Sequence, residues 1–287
     1  MKILGILAFK TNNQSPQKQK KVSFGNAIDT GAKFAIDHAD VLVTHRCNKG
    51  CPTCIDKWVN KYKQIISFDI VKKYFNLLEQ RTYAIKTPIN QEGRLPINLL
   101  GGEPTTIGER YLNNIAEDAH KRNFLMWMSS NGIEKETIDN ILPNFDFIHI
   151  TCDKPEQVHK WLMPKYLDKI GIKFPCTAKT TLKDFLEFAE ATKDFPNKRA
   201  IVYNDMNRVE IKLQPELAEY LSDSNVNYVI APHGFHKFGE INGVTVKRIV
   251  EGQNIYEDTQ LIPRLYPNGN YNCTWQNELN NQYLGEL

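Results

Sequence analysis

The chain has 287 residues, of which 41% are hydrophobic, 24% charged and 10% aromatic. That composition excludes disordered, collagenous and coiled-coil classes and suits one large domain, or one with a small appendage. The 36 Lys and Arg against 33 Asp and Glu leave a formal charge of +3, short of the strongly basic footprint of a dedicated nucleic-acid binder.

No apolar run reaches the ~18–20 residues that span a bilayer. The apolar stretch 3–9 follows only Lys2 and runs into polar residues without a small-residue cleavage site, so it reads as a strand in a cytoplasmic protein. Residues 10–36, with Lys18, Lys20 and Lys21 among Gln, Asn and Ser, read as an exposed connector.

From about residue 37 to 207, short apolar runs alternate with amphipathic ones. Residues 39–44 are expected as a buried strand ending at a group of cysteines. Ser67 caps a helix with Ile70, Val71, Tyr74, Leu77 and Leu78 on one face. Residues 95–100 form a second strand, stopped by Gly101-Gly102, and Thr106 with Glu109 has the spacing of a capping box opening a helix. Strands follow at 124–128, 145–151, 172–178 and 199–203. Helices are expected at 134–142, 155–170 and 181–195. Such alternation implies right-handed crossovers and a parallel sheet. Six units are too few for a closed eight-stranded barrel, which predicts an α/β fold with a partial (β/α)6 barrel. Residues 208–287 lose the alternation and are expected as a small C-terminal α+β extension, with strands at 209–213 and 227–231 and a hairpin over 265–273 turning at Asn268-Gly269.

Three of the six cysteines, Cys47, Cys51 and Cys54, fall within eight residues. A secreted disulfide framework would not bunch them so, and the pattern points to metal or redox chemistry in a reducing compartment. A structural zinc needs four ligands, and no second Cys-x-x-Cys pair is present. A [4Fe–4S] cluster held by three thiolates would leave one iron without a protein ligand. Gly50 is expected to help the loop wrap a bulky group. In parallel α/β folds chemistry collects at the C-terminal strand ends, where both the cysteines and Gly101-Gly102-Glu103-Pro104 fall.

Cys47-x3-Cys51-x2-Cys54 after a strand and Thr44-His45-Arg46, followed by Gly101-Gly102-Glu103-Pro104 after the next strand, resembles the signature of the radical S-adenosylmethionine (radical SAM) enzymes over residues 38–204. The resemblance implies that Cys47, Cys51 and Cys54 hold a [4Fe–4S] cluster whose open iron chelates the methionyl end of S-adenosyl-L-methionine. It also implies that Gly101, Gly102, Glu103 and Pro104 contact the SAM ammonium. The glycines would let backbone carbonyls approach, and Glu103 would offer a charge-assisted partner; as a turn carboxylate, Glu103 would instead cap the following helix. Ser129-Ser130-Asn131-Gly132 resembles the family's Thr-Asn-Gly turn and Thr151-Cys152-Asp153 its Ser-x-Asp, which puts Ser129, Asn131, Thr151 and Asp153 near SAM. Thr53 stands where the family commonly has an aromatic residue beside the adenine, leaving backbone contacts of the loop for that role.

Cys152, at the active rim, is the candidate hydrogen-atom donor to a substrate radical; as free thiols, Cys152, Cys176 and Cys273 also fit buried apolar positions. The resemblance implies a 5′-deoxyadenosyl radical that takes hydrogen from a substrate, with a low-potential electron donor of the flavodoxin or ferredoxin type. Residues 265–273 with Leu284-Gly285 resemble a degenerate SPASM or twitch module. A single cysteine there cannot hold an auxiliary cluster, and the likeness points to a peptide or protein substrate. A small metabolite or nucleotide, activation of a glycyl-radical enzyme, and a non-catalytic iron–sulfur or zinc scaffold are the alternatives.

Overall fold

Two periodicities in the sequence become two kinds of element. The computed structural model describes residues 33–51, 54, 64–86, 92–202, 212–230, 236–249, 262–272 and 285–286. The strand expected at 3–9, the connector up to residue 32, residues 209–211 of the strand expected at 209–213, and the residues Thr53 and Cys273 lie outside them; Lys212 and Leu213, which are described, are not strand. In chain order the elements are β1 (Phe34–Ile36), β2 (Ala39–Thr44), α1 (Phe68–Arg81), β3 (Thr82–Ala84), β4 (Pro96–Gly101), α2 (Glu109–Lys121), β5 (Leu125–Ser130), α3 (Lys135–Ile141), β6 (Phe147–Thr151), α4 (Pro164–Leu167), β7 (Ile170–Cys176), α5 (Leu182–Ala191), β8 (Lys198–Val202), α6 (Pro215–Tyr220), β9 (Val229–Ile230), β10 (His236–Ile241), β11 (Val244–Ile249), β12 (Arg264–Leu265), β13 (Asn270–Asn272) and β14 (Gly285–Glu286). No described helix is long and apolar enough to cross a membrane.

The caps set several boundaries. Ser67 Oγ accepts from Ile70 N–H at 3.3 Å to start α1, and Thr181 and Asp184 form the capping box that opens α5. Thr106 does not cap α2. It lies inside a 3₁₀ turn (Pro104–Ile107) capped by Glu103, and α2 begins after Gly108 without a side-chain cap. The helix expected over 155–170 is broken into a 3₁₀ turn (Pro155–Trp161) and α4, because Pro164 removes a donor and restricts Met163 to extended backbone.

The architecture is mixed α/β around a large, mostly parallel sheet. Its twelve strands run in the order β14-β13-β12-β2-β4-β5-β6-β7-β8-β11-β10-β9. Every pairing from β12 to β11 is parallel, and the outermost strands on both edges are antiparallel. The segments beyond residue 208 therefore extend this one sheet on both edges. The hairpin at Asn268-Gly269 forms as expected, as β12–β13. A second hairpin, β10–β11, turns on Asn242-Gly243, both with positive φ.

From β2 to β8 spatial order follows chain order (β3 pairs with β1 in a separate two-stranded sheet), and right-handed crossovers then place the connecting helices on one side. The burial pattern agrees. Met126, Met128, Ile148, Ile150, Ile172, Phe174, Ala200 and Val246 belong to the buried core with residues of α1, α2, α3 and α5. The alternate positions, Asn98, Trp127, Ser129, Phe147, His149, Lys173, Arg199 and Lys247, are half-buried and largely polar. A parallel sheet covered by helices on both faces would be apolar on both.

At the β2 edge of the polar face, Asp40 and Arg264 form a buried ion pair, with Arg264 Nε donating to Asp40 Oδ2 at 3.1 Å and a second guanidinium nitrogen donating to the same oxygen. Asn98 Nδ2 donates to Asp40 Oδ1 at 3.1 Å. Burial raises the Asp40 carboxyl, but the Arg264 guanidinium, His38 and these hydrogen bonds outweigh it and hold the pKa below its ordinary value. The stability this contributes is present above the unfolded carboxyl pKa and is lost as pH falls through the folded one. Arg264→Met is expected to cost about 3–5 kcal/mol in urea unfolding, because it strands the Asp40 charge. Asp40→Asn in the same background is expected to recover part of that loss.

Candidate functional site

The end of β2 is where the cysteine loop is seated. The register of β2 on β4 shifts between Leu42 and Thr44, a bulge that re-aims the chain as it leaves the sheet. The end of β4 rises against this turn. Gly102 N–H donates to Thr44 O at 2.8 Å, and Glu103 N–H donates to Arg46 O at 2.7 Å. Gly101 has φ +149°, and a Cβ on it would lie 2.4 Å from Thr44 O; one on Gly102 would lie 2.2 Å from Arg46 O. All the atoms they would strike are backbone, so a side chain cannot move aside. The glycine pair thus serves the close approach of two strand ends, and through it the position of the cysteines. At Gly50, by contrast, an added Cβ would meet nothing and φ is not positive, so the local backbone does not require glycine there.

Cys47, Cys51 and Cys54 are all half-buried. Cys54 N–H donates to Cys51 O at 3.2 Å, which folds the loop back on itself, and Cys47 Sγ accepts from Lys49 N–H at 3.4 Å. Burial raises the Cys51 thiol above its ordinary range, with the Lys49 ammonium opposing and Asp153 and Cys47 reinforcing. Two latches tie the loop to neighbouring strand ends. Asn131 Nδ2 donates to Asn48 Oδ1 at 2.8 Å, and Lys49 pairs with Asp153. Asn48 Nδ2 also donates to Glu134 Oε1 at 3.0 Å.

Glu103 is buried and links the ends of β4 and β5. Its Oε1 accepts from Thr105 N–H at 3.2 Å, Thr105 Oγ1 at 2.8 Å and Ser130 Oγ at 2.8 Å, and its Oε2 accepts from Asn131 N–H at 2.6 Å. Burial pushes its carboxyl upward despite these four bonds. The capping role that the sequence also allowed is the one Glu103 performs on its own turn, with Pro104 buried at the first position. A carboxylate offers about four lone-pair sites, and among the described residues Oε2 takes one donor.

The strand ends therefore bring the cysteine loop together with Glu103, Asn131 and Asp153. Thr151 and Ser129 are half-buried on the polar sheet face, where Ser129 Oγ accepts from Lys173 Nζ at 2.9 Å. Cys152 goes elsewhere: it is buried within the hydrophobic core, and burial pushes its thiol up to about 12. Cys176, likewise in the core, is also pushed up to about 12. Sequence reasoning passed over Asn48, Lys49, Thr105 and Ser130, which do the latching. Each lies inside or beside a motif, so adjacency was the available signal, but only folding reveals which strand end each one reaches.

The donor chemistry fits an iron–sulfur cluster: three soft thiols on one short loop, carried by a rigid strand end. Among the described residues no three His, Cys, Asp or Glu side chains converge to hold a single ion. Thiolates on a cubane each bind a different iron and need no common point. Compared with known proteins, the chain matches no family model and no curated protein.

Proposed function

We propose that this chain is a radical SAM enzyme, with Cys47, Cys51 and Cys54 holding a [4Fe–4S] cluster, and that its sheet is the partial (β/α)6 barrel expected from the sequence. The observation that carries the reading is the seating of the cysteine loop on Gly101-Gly102-Glu103 through Gly102 N–H to Thr44 O and Glu103 N–H to Arg46 O. Two motifs 54 positions apart in the chain (Cys47 to Gly101) are thereby one structural unit. Chain-order strand pairing and the single polar sheet face support the barrel.

When bound, the cluster would supply one electron, received from a flavodoxin- or ferredoxin-type donor, for reductive cleavage of S-adenosyl-L-methionine into methionine and a 5′-deoxyadenosyl radical. The protein's part is positional. Gly101 and Gly102 hold the loop at the strand ends. Glu103 fixes β4 to β5, and the acceptor capacity left on its Oε2 serves the SAM ammonium. Asn131 and Asp153 act as positioning residues through Asn48 and Lys49. Ser129 and Thr151 front the interior where SAM and substrate would lie. Thr53 and the tail residues behind the peptide-substrate expectation, Cys273 and Leu284, lie outside the described residues.

Anaerobic reconstitution tests the reading. About four irons per chain and release of 5′-deoxyadenosine from SAM with dithionite are expected. Metal binding without SAM cleavage would instead identify a scaffold.

A further inference from the structure

On the polar sheet face, away from β2, cations gather that have no ion-pair partner among the described residues. Lys173 on β7 and Arg199 on β8 are direct cross-strand partners. Lys247 on β11 pairs with Ile201, two positions beyond Arg199. All three alternate with the buried Phe174, Ala200 and Val246, so they share the face opposite the helices. Like charges placed opposite each other destabilise a sheet. Even so, among the described residues no Asp or Glu forms an ion pair with any of the three.

Their other contacts do not neutralise them. Lys173 Nζ donates to Ser129 Oγ at 2.9 Å. The Arg199 guanidinium and Lys247 ammonium lie 5.5 and 6.0 Å from the centroid of the Phe238 ring. Asp40 attracts both lysines and Asp37 attracts Lys247, but neither forms an ion pair with them, and Asp40 is itself held by Arg264. Burial first, and then the Arg199 charge, pushes both lysines down to about 7. His149, diagonal to Lys173 on β6, is held well below its ordinary range by burial and by the same three cations. The three cations are half-buried rather than sealed within the core.

Crowded, partly desolvated cations are costly unless an anion completes them. We propose that Lys173, Arg199 and Lys247 bind the dianionic phosphate group of a small-molecule substrate. A phosphate monoester brings about −1.5 to −2 charges and three acceptor oxygens, which suits three separate donors; a carboxylate brings one charge and two oxygens. The guanidinium supplies a fork and the ammoniums supply point charges. Ser129, which takes the Lys173 proton donor, directly precedes Ser130 and Asn131, the residues that hold Glu103. A substrate anchored here would direct its other end toward the strand-end rim. That orientation rests on the radical SAM reading, whereas the anion site does not.

Titration calorimetry and thermal unfolding of the full-length chain, prepared without added iron, test the site with inorganic phosphate and glycerol 3-phosphate, against sodium chloride at matched ionic strength. Saturable binding of both phosphates and a rise in Tm absent with chloride are expected. Arg199→Gln and Lys247→Met are each expected to weaken binding by about tenfold to a hundredfold. Without phosphate both should unfold at or above the wild-type temperature, since a like charge has been removed; Lys173→Met serves if either fails to fold. Binding of inorganic phosphate alone would overturn the assignment to a substrate's phosphate group. No saturable binding, an equal effect of chloride, or unchanged affinity in the variants would overturn the site itself. Failure of SAM cleavage in reconstituted protein that still binds phosphate would refute the cysteine-loop reading and leave this site standing.

Discussion

Replacing Cys51 by alanine is expected to bring SAM cleavage to background and to lower iron well below that of the wild type after identical anaerobic reconstitution. The reason is ligand number. Three thiolates are already one fewer than a cubane normally receives from protein, so removing one leaves two. The middle cysteine is the informative choice because Cys54 N–H is bonded to Cys51 O through the backbone, a contact that alanine keeps. A half-buried loop residue trimmed to alanine should change unfolding free energy by no more than about 1 kcal/mol, so lost activity would not be lost folding. Cys176→Ala is the matched control: its thiol is buried in the core, and SAM cleavage should persist at a modest cost in stability. Normal 5′-deoxyadenosine release from Cys51→Ala would refute the cluster assignment.

Gly102→Ala should have the second large effect, and it separates two accounts of the glycine pair. If the glycines only made room for a ligand, one methyl group would weaken SAM binding and leave the fold intact. The structure requires more. The new Cβ would sit 2.2 Å from Arg46 O, 2.6 Å from Arg46 C and 2.8 Å from His45 O. These are backbone atoms of the segment entering the cysteine loop. Either the strand ends part, losing the bonds to Thr44 and Arg46, or the loop is displaced. A loss of about 3 kcal/mol in denaturant unfolding is expected, together with reduced iron retention. Wild-type stability and iron content in this variant would contradict the packing argument.

Much of the site was legible along the chain because its parts are local. Cys47, Cys51 and Cys54 are close in sequence, and Gly101 to Pro104 are contiguous. Alternating strand and helix patterns also fixed the direction of the sheet, since a parallel pair demands a crossover. Less legible was what each residue does there. Glu103 could reach a ligand cation or its own turn, and only the arrival of Ser130 and Asn131 from β5 fills its carboxylate. Cys152 stood at the rim by position, but strand alternation turns it into the core beside Ile150. Pro164 splits the segment 155–170 into a 3₁₀ turn and α4, because it lacks a backbone donor and holds Met163 extended.

By itself the sequence determined the element types, the parallel connections, the seat of the cysteines and the scarcity of their ligands, all of which follow from periodicity and spacing within short windows. Only the tertiary structure decided which strands become neighbours beyond β8, that segments after residue 208 complete both edges of the same sheet, and that Lys173, Arg199 and Lys247 share one face. Those three residues span 75 positions from first to last, and nothing local to any of them encodes the others. Cross-strand register is a property of long-range pairing, paid for by loop closure and selected by burial of the opposite face, so it appears only when the whole sheet assembles.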